Sequence, residues 1–468
     1  MRTNIKYIIL SLLILPLVSV FPQSDSLMNY LELATKNNPT VLQRYNEYQA
    51  SLQKIPQVGS LPDPQLEMGV FLSPMEVLSG NQVADIKLMQ MFPWFGVLKN
   101  AKDEMSLMAK GKYELFRDAK LQVYYDVQRT WFDLYKVRQN IRISEKNVEL
   151  LKTIERLTLV KFRSGSSGGS SVVSGNKMSG GNTPVAASGS SGMNVMGGNQ
   201  GATSTESSSS PALMSSTSGG TGLAGVYQIL IETGDLENNI ASLKNEEQVA
   251  VARFNSLLNR PQKTPVAAVE LLPVEPLDIA YLSVNDSMFA RNPMLGMLQY
   301  EQQSLTARTK MQKQMGLPMV GVGMSYSIIS KSDMSTSTMN GQDMIMPMLT
   351  VTLPIYRKKY KAMQAETGFL KMASEQNYQA IANALQTQYY EALLLYNDAG
   401  RRMKLYDSQS QLAQKSLDIS IKTFSSSSSG LTDILRIRQQ LLDYELKQVE
   451  AVIDFNKAEA LIKRIANK

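Results

Sequence analysis

The sequence predicts a mainly α-helical chain with a membrane β-barrel, assembled from two structural repeats of helix, strand, strand, long helix and helix. Three observations carry this. Landmarks recur in one order: Asn38-Pro39, Pro62-Asp63-Pro64 and the alternating run Gln65 to Leu72 are echoed by Asn292-Pro293, Pro318 and the run Met319 to Ile328. Two long helical stretches, opened by Gln90-Met91-Phe92-Pro93-Trp94 and Val351-Thr352-Leu353-Pro354-Ile355, run into Phe162-Arg163-Ser164-Gly165 and Phe424 to Gly430. Four short runs alternate apolar with polar residues. An ordered duplication of this kind implies a pseudo-symmetric unit rather than two independent domains.

Taken in order, residues 1–23 have the form of a signal peptide: Arg2 and Lys6 precede the apolar run Tyr7 to Val20, and small or polar residues follow from Ser19 to Ser24. No later segment reaches the roughly 18 consecutive apolar residues of a spanning helix, so an exported chain without a helical anchor is expected. The first repeat, 24–260, holds a helix over Ser26 to Lys54, strands at about 65–74 and 85–94, a long helix from Val97 to Phe162 and a helix from Leu223 to Asn259. A linker at 261–276 follows. The second repeat, 277–468, holds helices over Asp278 to Met315, Tyr356 to Phe424 and Leu431 to Ala466, with strands at about 318–328 and 344–354.

The first long helix, about 66 residues, would extend about 100 Å at 1.5 Å per residue, too long for an ordinary domain. Its apolar residues, among them Leu107, Leu121, Trp131, Ile141 and Leu151, recur at threes, fours and sevens among charged and amide side chains, the pattern of a coiled-coil stripe. The two shorter helices of each repeat add up to nearly the same length. They are expected to stack end to end against it.

The strands read as apolar on one face and polar on the other. Leu66, Met68, Val70 and Leu72 share a face, as do Ile86, Leu88 and Phe92, with Gln90 as the exception; Val320, Val322, Met324, Tyr326 and Ile328 follow, then Ile345, Leu349, Val351 and Leu353. About ten residues of such alternation per strand is the signature of a membrane barrel; the alternative is a soluble hairpin pair packed on a helix. Four strands cannot close, and an open edge in lipid strands its hydrogen-bonding groups. Three chains would supply about twelve strands.

Composition narrows the function. Of 468 residues only 7% are aromatic, so a large globular core is not expected. Cysteine and histidine are absent, which removes disulfides, the usual zinc sites and Ser-His or Cys-His nucleophiles. Acidic residues are spread along polar helix faces, so an enzyme is not expected, and no cofactor is called for. A net charge of +7 without a basic patch interleaved with aromatics argues against nucleic-acid binding. The segment 164–222, of Ser, Gly, Thr and Asn with Met178, Met193, Met196 and Met214, is too poor in apolar bulk to fold and reads as a flexible insert.

The repeated plan, the signal peptide, the Asn-Pro landmarks, the strand-to-helix prolines Pro93 and Pro354 and the aromatic-x-x-Gly turn Phe162 to Gly165 together resemble the TolC-like outer-membrane efflux factors, over essentially the whole mature chain except the insert. The resemblance implies a homotrimer with one twelve-stranded outer-membrane barrel and a coiled-coil tunnel in the periplasm. It also implies docking, through a periplasmic adaptor (a membrane fusion protein), onto an inner-membrane pump. In that plan Phe162, Gly165, Phe424 and Gly430 mark turns at the periplasmic tip, and Asp433, in Leu431-Thr432-Asp433-Ile434-Leu435, matches the acidic gate position. Ser427 departs from the turn glycine expected there and Arg436 from the second acidic position. For Asp433 the alternative is a carboxylate that merely stabilises a helix N-terminus. Pro62-Asp63-Pro64 looks like the heavy-metal-exporting branch.

The methionines divide into two readings. Met89, Met91, Met344, Met346 and Met348 fall on the polar strand faces, where thioethers would be candidate transient contacts for soft ions such as Cu(I) and Ag(I). Alternatively, methionine stands in for leucine as an adaptable filler. The function expected overall is a passive exit duct of a tripartite efflux system, exporting small molecules or metal ions; an exported coiled-coil spacer without a channel is the alternative.

Overall fold

The computed structural model of the protein describes residues 27–77, 79–166, 221–267, 272, 274, 276–278, 291–336, 338–426 and 430–467. The expected signal peptide and all but the ends of the expected insert lie outside the described residues. In chain order the elements are α1 (Leu27–Asn37), α2 (Pro39–Gly59), β1 (Gln65–Val77), β2 (Gly80–Phe92), α3 (Val97–Ser166), α4 (Thr221–Leu257), α5 (Pro293–Met315), β3 (Met319–Ser330), β4 (Met344–Thr352), α6 (Arg357–Ser426) and α7 (Leu431–Ala466). The described residues are mostly helical, with one four-stranded antiparallel sheet among them, ordered β1-β2-β3-β4. It divides into a larger unit, Met1–Ile143 with Ala241–Leu412 and Leu441–Lys468, and a smaller one, Ser144–Ile240 with Ala413–Gln440.

The helix expected over Ser26 to Lys54 is two helices, because Asn38 leaves the helical conformation (φ −64°, ψ 124°) and its side chain accepts from Thr40 N at 2.9 Å. Pro39 then occupies the first helical position, where its missing N–H leaves nothing unsatisfied. Asn292 does the same for Met294 N at 3.0 Å, so α5 begins at Pro293; residues 279–290 of the helix expected from Asp278 lie outside the described residues. The other half of each amide reaches a helix C-terminus: Asn38 Nδ2 donates to Leu257 O at 2.9 Å and Asn292 Nδ2 to Ile465 O at 3.4 Å. One side chain therefore satisfies an orphan donor of one helix and an orphan carbonyl of another.

Within the larger unit, α2 and α1 run antiparallel along α3, with ring pairs Tyr48–Tyr113, Tyr45–Phe116 and Tyr30–Trp131 at 5.3, 5.6 and 5.3 Å. Where α1 ends its contact, α4 takes over: Phe254 stands 5.4 Å from Trp131, and Arg138 pairs with Glu247 at 2.7 Å. Tyr30, Trp131 and Phe254 are all buried and anchor the core on this side. Along α6, α5 supplies Gln312 to Thr367 at 3.0 Å, and α7 supplies Phe455 to Tyr396 at 4.4 Å and Asp454 to Arg402 at 2.9 Å. In the smaller unit Lys152 of α3 pairs with Glu237 of α4 at 3.0 Å.

Both long helices are 70 residues, longer than expected at their far ends. The first hairpin is also longer than expected, since β1 continues to Val77 and β2 begins at Gly80 rather than near 85. Ser73-Pro74 interrupts the alternation, and the register lapses between Val70 and Met75 before resuming at Met75–Gln82. Such an irregularity is where a strand tolerates proline. Gly80 has φ +124°, and a Cβ there would meet Ser330 O at 2.3 Å, so this position requires glycine.

Candidate functional site

The cross-strand register sorts the strand residues into two faces. Leu66–Leu88–Met324–Pro347 and Met68–Ile86–Tyr326–Ile345 form rows on one side, continued by Gln90–Val322–Leu349 and Phe92–Val320–Val351. Most of these apolar side chains are exposed. Gln90 is accommodated because its amide donates to Pro62 O at 2.7 Å and Met91 O at 3.0 Å.

The opposite face is polar and carries the five methionines singled out above. Its rows are Gly69–Asp85–Ser327–Met344, Glu67–Lys87–Ser325–Met346, Gln65–Met89–Gly323–Met348 and Met91–Gly321–Thr350. Asp85 accepts from Ser325 at 2.7 Å and Ser327 at 3.0 Å and pairs with Lys87 at 3.1 Å. Sequence reading missed this network; the signal for it was Asp85 and Lys87 two apart on one strand, matched by Ser325 and Ser327 two apart on another.

Glycine makes room for the thioethers. A Cβ at Gly321 would lie 2.5 Å from Met91 Sδ and 3.3 Å from Met89 Sδ, and one at Gly323 would lie 3.1 Å from Met89 Sδ. The two sulfurs thus fold onto one bare stretch of β3 backbone, with Thr350 Oγ1 3.7 Å from Met89 Sδ. Met344 and Met346 stand exposed on β4, on the same face. Among the described residues no group of three His, Cys, Asp or Glu side chains is arranged to hold a metal ion.

The residues expected at the tip lie in the smaller unit. Phe162 and Gly165 do not form a turn: α3 stays helical through Ser166, since one glycine costs a helix only about 1 kcal/mol. Phe162 is exposed, whereas Phe424 is buried beneath Lys161, whose ammonium sits 4.0 Å from the ring centroid and donates to Phe424 O at 2.9 Å. Lysine thereby satisfies a last-turn carbonyl of α6 from the neighbouring long helix.

Gly430 precedes α7, and its carbonyl accepts from Asp433 N at 3.2 Å. The Asp433 carboxylate is exposed in the first turn of α7, 3.5 Å from Arg436. The residue that takes the gate's second acidic position in the resemblance is therefore this aspartate's own ion-pair partner. Deeper in the unit Arg438, 2% exposed, donates to Glu232 and leaves Nε without a partner. Burial holds its pKa below the ordinary guanidinium range.

No family model matches this chain, and no curated protein matches it in sequence. Solved structures match it closely in fold. CusC, whose crystal structures concern folding and transmembrane channel formation, superposes at TM-score 0.72 over 95% of this chain and 92% of its own, at 12% identity. The Campylobacter jejuni CmeC outer membrane channel superposes at 0.69 over 94% and 85%, at 13% identity. The outer membrane protein VceC of Vibrio cholerae superposes at 0.67 over 94% and 96%, at 11% identity. Over more than nine-tenths of its length, this chain has the fold of the TolC-like outer-membrane channels.

Proposed function

We propose that the protein is a passive outer-membrane exit duct of a tripartite efflux system, a homotrimer whose twelve strands close one barrel and whose helices form a tunnel reaching into the periplasm. The observation that carries this reading is the sheet, whose apolar face is exposed and whose outer strands β1 and β4 each have one side unpaired among the described residues. A barrel closed by three copies pairs every edge, which lipid demands because it cannot hydrogen-bond a free strand edge, and turns the apolar face to lipid, where exposed apolar side chains are stable. The fold shared with outer-membrane channels supports the same conclusion.

The chain works without catalytic residues of its own in this reading, and a pump engaged through a periplasmic adaptor supplies the energy. On this reading the adaptor meets the ends of the long helices around Phe162, Gly165, Phe424 and Gly430, and the gate role falls to Asp433, which its ion pair with Arg436 at 3.5 Å partly neutralises. Detergent extracts of outer membrane are expected to yield heat-resistant trimers that conduct in planar bilayers. A soluble periplasmic rod would instead establish the spacer alternative.

A second reading rests on the pair Met89 and Met91 folded onto Gly321 and Gly323. Two thioethers converging on the polar face suit transient contact with a soft monovalent ion, with Met344, Met346 and Met348 as further stations. Replacing Met89 and Met91 by Leu keeps the volume and removes the sulfur. Copper or silver tolerance should fall in a strain relying on this protein while trimer yield holds; unchanged tolerance leaves methionine as packing.

A further inference from the structure

Both 70-residue helices begin with an unfavourable charge. Neither has an acidic residue in its first turn; α6 opens Arg357-Lys358-Lys359-Tyr360-Lys361, and Lys99 and Lys102 stand near the start of α3. Cations there oppose the helix macrodipole. All six are exposed, and none has an ion-pair partner among the described residues. A local rule broken at two junctions without an internal compensation points to a use outside the chain.

What precedes the cations identifies that use. The apolar face of the sheet ends at the row Phe92–Val320–Val351. Large side chains follow in open solvent, Phe95 at 87% and Tyr356 at 84% exposure, with Trp94 and Ile355 beside them in sequence. Only then do the lysines begin. At this boundary an apolar groove of about 470 Å³ is lined by Leu61, Phe92, Trp94, Phe95 and Leu98, and Leu98 is followed directly by Lys99.

We propose that this collar binds anionic phospholipid of the periplasm-facing leaflet, its acyl chain in the groove and its phosphate among Lys99 and Arg357 to Lys361. The inference rests on the reading that the sheet faces lipid. An apolar slot that ends beside Lys99, with the cations of α6 following the neighbouring row residue Val351 by six positions, complements an amphipathic anion: aromatic rings suit the interface, and each lysine or arginine near an anionic surface strengthens binding about fivefold. An acidic protein segment would meet the cations but would leave the groove and the exposed rings unexplained.

The test uses the purified, delipidated full chain, with native mass spectrometry reading retention of phosphatidylglycerol against phosphatidylcholine of the same acyl chains. Wild type should retain phosphatidylglycerol at least tenfold better. The variant R357Q/K358Q/K359Q/K361Q, short of four cations, should lose at least tenfold of that preference, K358R/K359R/K361R should keep it, and all three proteins should conduct in phosphatidylcholine bilayers. Equal retention of the two lipids by wild type, or an undiminished preference in the glutamine variant, overturns the proposal. If conduction persists in those cases, the barrel reading survives and the lipid site alone fails; a wild type that does not conduct removes the barrel reading itself.

Discussion

Asn38 donates to the carbonyl of Leu257 at 2.9 Å while its own Oδ1 caps Thr40 N, so one amide joins the end of α4 to the start of α2. Asn292 repeats both bonds toward Ile465 and Met294. The Asn-Pro pairs are thus joints, each tying the end of one short helix to the start of another that lies far from it in sequence.

The joint makes a prediction that an ordinary N-cap does not. Asn and Asp cap equally well, and losing a cap costs about 1 kcal/mol. Asn38→Asp keeps the acceptor but turns a carboxylate toward the Leu257 carbonyl, so it should destabilise at least as much as Asn38→Ala. Thermal unfolding followed by circular dichroism decides it; an Asp variant as stable as wild type would reduce Asn38 to a cap.

The two sheet faces should respond oppositely to charge. Val322→Arg and Leu349→Arg put a cation on the exposed apolar face, where it costs about 2–4 kcal/mol at mid-bilayer in a barrel. Thr350→Arg, on the polar face beside Leu349, should assemble normally and change conductance. Gly323 is not a clean probe, because any Cβ there would meet Leu88 O at 2.6 Å. Trimer yield in membranes is the readout, and equal losses from both faces would mean the lipid side is misassigned.

Glu104, 7% exposed in α3, predicts a pH effect of definite sign. Burial holds its carboxyl above the ordinary range, with the Arg308 charge pulling weakly back. A raised folded-state pKa favours the folded state below the unfolded pKa, and that contribution is lost as pH rises through the folded one. Glu104→Gln should therefore gain stability over wild type at about pH 7 and not at about pH 4. A larger advantage at the acid end would contradict this assignment.

Much of this was written in periodicity. The alternation at Leu66 to Leu72 and at Val320 to Ile328 fixed both strands and faces, because one register satisfies all four runs at once. The ends of elements were less legible. Pro74 hid the rest of β1, since a strand can carry a proline through an irregularity, and Gly165 pointed to a turn that a 70-residue helix simply passes. Asn38-Pro39 was visible only as a landmark, although Asn before Pro is a helix-start signal in its own right. The Asp85 network, the Lys161–Phe424 contact and the buried Arg438–Glu232 pair depend on which strands and helices are neighbours, and no local pattern encodes that.

Barrel closure between copies is the central claim, and the absence of cysteine from the sequence allows it to be read directly. Cysteines introduced in pairs, one at Leu66, Met68 or Val70 of β1 and one at Leu349 or Val351 of β4, sample the registers in which β4 of one copy meets β1 of the next. Oxidation in isolated outer membranes should convert at least one pair into covalent dimers and trimers on a non-reducing gel, with each single-cysteine control remaining monomeric. Membrane-inserted protein that stays monomeric for every pair would contradict closure by three copies.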